Sequence, residues 1–392
     1  MAEALARIQT RVCPVHACER LSLMDCLDRV NNEAVMSPRD VPPQPNSAMD
    51  GYAIAIDSLV EDGVAELEII GSAFAGTPFS GRCGPGQCVR IMTGAPVPEG
   101  ADAVVPVEQT AREGDLVQIH AAVPPARHVG QIGEDVKSGD MVLRAGRKLR
   151  PQDVGLLASL GISPVEVVVR PKVALLVTGN ELLPPGSKPD GFRIVDSNSP
   201  MLKALVERDG GSLVTGPIVP DDRDRLAEAL DAAAAFASCV LLTGGSSVGA
   251  EAHAPMLVAE KCELPVHGIA MRPSIPTGVG FVQGRPVFLL PGNPVSCLCA
   301  YDFFAGRAIR LLAGRHPGWP HMTVRMPLAR KIASAIGRTD YVRVRIEKNR
   351  VVPLAIRGAA ILSSTTRAHG FVIVDHAAEG HAEGDAVAVH LY

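Results

Sequence analysis

Aromatic residues are scarce in this chain, at 4% of the composition with a single tryptophan. Its cores must therefore be assembled from Ala, Val, Leu and Ile. No run approaches the roughly 18 uninterrupted apolar residues of a membrane-spanning helix. The start, MAEALARIQTRVCPVHACERLSL, has no long apolar centre of the kind a secretion signal needs. A cytoplasmic location with no membrane attachment is the expectation. An excess of charge is missing as well: 38 Lys and Arg against 42 Asp and Glu leave a net charge of −4. That balance argues against a dedicated nucleic-acid binder, which carries a strong basic surplus. The nine cysteines are odd in number and contain no paired CxxC spacing, so reduced thiols are expected. Cys13, His16 and Cys18 come nearest to a metal cluster, but their spacing fits no zinc template.

What the chain does have is length and punctuation. Its 392 residues exceed one compact core, so two to four domains are expected. A hydrophobic content of 47% with 20% charge is ordinary for a globular protein, and 38 glycines with 32 prolines imply many turns. Ala4, Leu5, Ile8 and Val12 share one helical face, and Leu23 and Leu27 extend the expectation of helix to about residue 35. Prolines in MSPRDVPPQPNSAMDGYAI then break any helix. Short β-rich runs at Glu66–Ile70, Cys88–Met92, Ala103–Val107 and Leu116–His120 predict a small β unit. PQDVGLLASLG reads as a helix between Pro151 and Gly161.

From residue 172 to 313 the rhythm changes to strand and helix in alternation. KVALLVTG, SLVTGPIV, SCVLLTGG and PVFLLPGNPVS read as strands, with helices between them; Ser199 is the expected N-cap of the first. This order predicts a parallel, doubly wound α/β domain. HPGWP reads as a linker, and YVRVRIE and GDAVAVHLY as strands of a second small β domain.

In such a sheet, ligands sit beyond the carboxyl ends of the strands. TGNELLPPG, TGGSSVG and PGNPVS each place glycine and a small polar residue there, just before a helix. Free backbone N–H groups and helix N-termini favour phosphate or another oxyanion. Glu181, Asp196 and Asn198 stand beside these loops, either as turn residues or as ligands to a polar group or Mg²⁺. Asp50–Gly51 alone reads as a turn dipeptide, and Thr93–Gly94 and Glu134–Asp135 as further loop positions. Arg272 precedes a proline-stiffened turn where a guanidinium could clamp an oxyanion. Arg338, Arg343, Ser363, Ser364 and Arg367 are polar positions of the last domain that also suit an ordinary solvent-facing strand.

Taken together, PNSAMDGYA, RIMTGAPVPEGADAVV, GEDVKSGD, ALLVTGNEL, VDSNSPML, TGGSSVG, LPGNPVS and SSTTRAHG resemble the MoeA family, over nearly the whole chain and in the same order. These are the molybdopterin molybdenumtransferases, which include the gephyrin E domain. The resemblance implies a multidomain α/β protein: a helical and extended connector (1–45 and 135–168), an inserted β domain (46–134), a molybdopterin-binding α/β/α domain (169–316) and a C-terminal β domain (317–392). It also implies a homodimer with its active site near the subunit interface, upstream supply by a molybdopterin adenylyltransferase, and a molybdoenzyme or delivery partner downstream. The implied reaction takes adenylylated molybdopterin, releases AMP and inserts molybdate at the dithiolene, with Mg²⁺ offsetting negative charge.

By matching position, the catalytic candidates are Asp50, Thr93, Asp135, Glu181, Glu251 and Arg272, with Asp50 and Asp135 facing the site from the neighbouring subunit. Glu181 and Glu251 are the metal candidates. Cofactor-binding candidates from the α/β domain are Asp196, Asn198, Gly244, Gly245, Ser247, Gly249, Ser274, Pro291, Gly292, Asn293 and Ser296. Arg338, Arg343, Ser363 and Ser364 complete that set from the last domain. Three departures stand out. The family's GGVSVGEAD has an aspartate where this chain has Ala252, with Glu251 displaced by one. KPGKP becomes RPSIP, which puts Arg272 and Ile275 at the lysine positions, and TGDEL becomes TGNEL, which puts Asn180 at the aspartate. The alternative reading is a relative that binds molybdopterin or the finished cofactor for delivery without catalysis.

Overall fold

The computed structural model describes residues 1–59, 65–120, 123–244, 253–355 and 358–392. The chain divides into two compact units: Met1–Asn32 with Gly146–Arg150 and Val165–Tyr392, and Glu33–Ala145 with Pro151–Pro164.

The heart of the first unit is a six-stranded sheet in the order Ser212–Thr215, Lys172–Val177, Cys239–Thr243, Arg285–Leu290, Gly278–Val282, Glu263–His267. The first four strands run parallel, as the alternation of strands and helices predicts. The last two are antiparallel additions. Apolar runs without polar alternation arise because both faces are covered. Val173, Leu175 and Val177 enter one core with Leu202, Val206 and Ile309. Ala174 and Leu176 enter the other, with Leu226, Leu230 and Leu257. Chain order reverses between Lys172–Val177 and Cys239–Thr243, and there the helices cross from one face to the other.

The first helix of this domain, Asn198–Arg208, corrects the expected cap. Ser199 lies within the helix, and Asp196 serves its N-terminus by accepting from the amides of Asn198 (2.9 Å) and Ser199 (3.1 Å) and from the Ser199 hydroxyl. The last helical run, Pro294–Leu312, contains a π stretch at Tyr301–Ala305. Its buried Asp302 is tied to Arg208 at 2.8 Å.

The amino-terminal expectation needs a second correction. Helix runs only over Ala2–Arg11, after which Val12 is extended and Pro14 follows. Cys18–Leu21 is a strand paired with Val165–Val168, and Leu27 is exposed, so Leu23 and Leu27 belong to no helical stripe. Beyond the linker, a mixed sheet orders Met271–Arg272, Thr339–Glu347, Gly370–Val374, Ala386–Leu391 and Thr323–Pro327. Its outermost strand, Met271–Arg272, comes from the α/β domain's own sequence. All nine cysteines are free thiols. Among the described residues no helix is long and apolar enough to cross a membrane.

The second unit carries a six-stranded sheet, Ala103–Pro106, Gly51–Ile54, Gln87–Ile91, Ala65–Ala73, Leu116–Ile119, Thr110–Glu113. Its two faces bury small and branched side chains, with Tyr52, Leu67 and Val117 on one side and Ala53, Val89 and Val104 on the other. Pro151–Ser159 is the helix expected there, followed by Gly161 at φ +74°.

Candidate functional site

Three parallel strands end at one cleft of about 860 Å³. It opens where the strand order reverses, the position at which doubly wound sheets bind ligands. Glu181, Asp196 and Asn198 line it from the loops after Lys172–Val177. Gly244 lines it after Cys239–Thr243, and Pro291, Gly292 and Asn293 after Arg285–Leu290. Seven of the expected site residues therefore meet in one place. Gly245, Ser247, Gly249 and Glu251, with Ala252, lie outside the described residues.

Short, specific contacts hold the floor. The Asn198 side-chain amide donates to Thr243 Oγ1 at 3.2 Å and to the Gly292 carbonyl at 2.8 Å, which joins the starting helix to both neighbouring loops. Asn198 is 7% exposed, and its Oδ1 has no hydrogen-bond partner among the described residues. Gly244 has φ +95°, and a Cβ there would stand 1.9 Å from the Thr178 carbonyl oxygen, so only glycine fits. Beside it, Asp221 accepts from Thr178 Oγ1 at 2.8 Å and from the Asn180 amide at 3.1 Å. Asn180 Oδ1 in turn accepts from the Asp221 amide at 3.3 Å.

Glu181 is exposed, and its carboxylate folds back over Gly179, where a Cβ would meet Oε2 at 2.8 Å. An oxygen donor of this kind suits Mg²⁺, which is commonly held by one or two carboxylates together with substrate phosphates. No group of three or more His, Cys, Asp or Glu stands ready for a metal among the described residues. Asp196 is committed to its helix start.

The remaining candidates separate into two sets. Ser274 is buried, at φ +105°, and its hydroxyl donates to the carbonyl of Ser296, itself buried in the Pro294–Ala300 helix. A non-glycine residue in that conformation costs about 1–3 kcal/mol and persists where surrounding bonds hold it. Arg272 and Arg338 are not among the described residues that line this cleft: both bind the fully buried carboxylate of Asp340, with Arg338 Nε at 2.9 Å from Oδ1. Ser334 donates to the same carboxylate at 2.8 Å. Arg343 is fully buried in the Thr339–Glu347 strand, and Ser363 and Ser364 begin a single helical turn three residues beyond Ala360, which lines the cleft.

The other unit holds Asp50, Thr93 and Asp135. Asp50 accepts from both the amide and the hydroxyl of Thr93 at 2.7 Å, and these two bonds hold its carboxyl below the usual carboxylate value. Gly51 is no turn residue: it starts a strand, and a Cβ there would stand 1.9 Å from the Val105 carbonyl oxygen. Asp135 is exposed.

Sequence reasoning did not single out His267, Ile194 or Thr178, which also line the cleft. The first sits on an antiparallel strand whose register no motif announces.

Fold and site define a multidomain α/β protein with an open cleft at the switch point of a doubly wound sheet. The chain belongs to the MoeA family: residues 1–161 match the MoeA N-terminal region (domains I and II), 174–310 a probable molybdopterin binding domain, and 325–392 the MoeA C-terminal region (domain IV). It is 33% identical to the molybdopterin molybdenumtransferase of Haemophilus influenzae, over 95% of this chain and 94% of that one. Molybdopterin molybdenumtransferase 2 of Mycobacterium tuberculosis is 35% identical, over 80% of this chain and 79% of its own. The crystal structure of the molybdopterin biosynthesis MoeA protein from Pyrococcus horikoshii superposes with a TM-score of 0.86 at 31% identity, covering 100% of this chain and 99% of that one.

Proposed function

We propose that this protein is a molybdopterin molybdenumtransferase of molybdenum cofactor biosynthesis. It takes adenylylated molybdopterin, breaks the phosphoanhydride with release of AMP, and places molybdate at the dithiolene. The observation that carries this reading is the convergence of Glu181, Asn198, Gly244 and the Pro291–Asn293 loop on one cleft at the switch point, in a chain related along its length to proteins named for that activity.

Asn198 and the glycine loops orient the ligand in the cleft, where Asn198 Oδ1, an acceptor with no partner among the described residues, suits an N–H of a pterin. Glu181 would hold Mg²⁺, which when bound neutralises charge on the phosphate oxygens. A homodimer is part of the proposal, with Asp50 and Asp135 supplied from the second copy. A molybdopterin adenylyltransferase provides the substrate, and a molybdoenzyme or a delivery partner receives the product. Residence in the cytoplasm fits those exchanges.

The test supplies purified protein with adenylylated molybdopterin, molybdate and Mg²⁺, and follows AMP release and metal insertion. Release of AMP that depends on molybdate is the expected result. Pterin binding without AMP release would overturn the insertase reading in favour of a delivery role.

A further inference from the structure

We propose that His267 contacts the anionic group of the ligand in the switch-point cleft, an inference that rests on the ligand being the phosphate-bearing one proposed above. Among the described residues that line the cleft there is no lysine or arginine, and His267 is the one side chain able to carry positive charge. Glu181 and Asp196 stand in the same lining with the opposite sign. An anion entering between them meets repulsion that backbone N–H dipoles offset only in part.

Strand geometry puts the histidine where it can help. His267 ends the antiparallel strand Glu263–His267 and pairs with Gly278. The chain then turns back, with the Gly268 amide bonded to the Thr277 carbonyl at 3.1 Å and the Ile269 amide to the Ile275 carbonyl at 2.8 Å. His267, Ile275 and Pro276 thereby share one wall. Ile275, 60% exposed, offers that wall no donor. The imidazole is exposed and engaged by no other described side chain. Hydrogen bonds from a ring N–H to an anionic phosphate oxygen are charge-assisted, and the ring can give one without rearranging a neighbour.

The experiment measures binding of AMP and of inorganic pyrophosphate to the full chain by calorimetry, with EDTA present so that no divalent metal contributes. His267→Ala is expected to weaken both by about tenfold, while His267→Lys stays within about threefold of the parent. His376→Ala, an exposed histidine elsewhere, is the control and leaves binding unchanged. Thermal unfolding of each variant checks that the fold is kept. Unaltered binding in His267→Ala, His267→Lys as weak as His267→Ala, or a parent chain that binds neither probe would each overturn the proposal. AMP release from adenylylated molybdopterin is measured in parallel. A parent chain that binds the probes through His267 yet releases no AMP would count against the insertase reading alone.

Discussion

Three residues separate Arg272 from Pro276, and across them the chain passes between two opposite treatments of charge. At Arg272 two guanidinium groups converge on Asp340, fully out of water, and neutralise it within the fold. At Ile275 and Pro276 the wall faces an open cleft whose described lining carries carboxylates and one histidine. Arg272, which reads as an anion clamp in the sequence, is thus paired within the fold together with Arg338, and the described lining of the cleft holds no lysine or arginine. The difference shows that a basic residue marks an anion site only where no buried carboxylate has claimed it first.

The contrast can be broken most forcefully at its buried end. Asp340→Ala leaves two partly buried guanidinium groups without their partner and should lower unfolding free energy by about 2–3 kcal/mol in a denaturant titration. A loss below 1 kcal/mol would show that solvent compensates both arginines once the carboxylate is gone. At the open end, Glu181→Gln should slow AMP release by about 10²-fold with the fold intact, as loss of a carboxylate used in the transition state would. An unchanged rate would remove Glu181 from the chemistry. Ile275→Lys adds a cation to the deficient wall and should tighten pyrophosphate binding by about fivefold, with the gain shrinking as salt rises.

The smallest effect concerns a carboxylate held by neutral donors, Asp50 with Thr93. Because its folded value is lowered, the stabilisation is fully present above the ordinary carboxylate value and is lost as pH falls through the lowered one. Thr93→Val removes the hydroxyl bond and keeps the amide bond, so the Asp50 titration followed by carboxyl NMR should move upward, toward the ordinary value. No movement would assign the whole depression to the backbone amide.

The parallel sheet was legible because strands buried on both faces are continuously apolar and stand out against Gly-rich loops, as in Leu175–Val177 and Val240–Leu242. The antiparallel pair Glu263–His267 and Gly278–Val282 was not, since no hairpin turn signal separates them and part of the intervening chain joins another sheet. Leu23 and Leu27 misled because two leucines four apart satisfy helical spacing without being buried. The cleft's glycines and Asn198 were visible through their position after strands. The fate of Arg272 was not visible, because Asp340 lies 68 residues away and reveals itself as a partner only in three dimensions.

The strand Met271–Arg272 deserves a practical reading. It leaves the α/β sheet's sequence, pairs with Thr339–Glu347 beyond the linker, and returns to form the cleft wall at Ile275. A chimera that exchanges the last domain at the HPGWP segment would therefore part this strand from its neighbour and present Arg272 to a foreign surface. Recombination between relatives is safer if residues 271–272 and the receiving strand travel together, although more than sixty positions of ordinary sequence separate them.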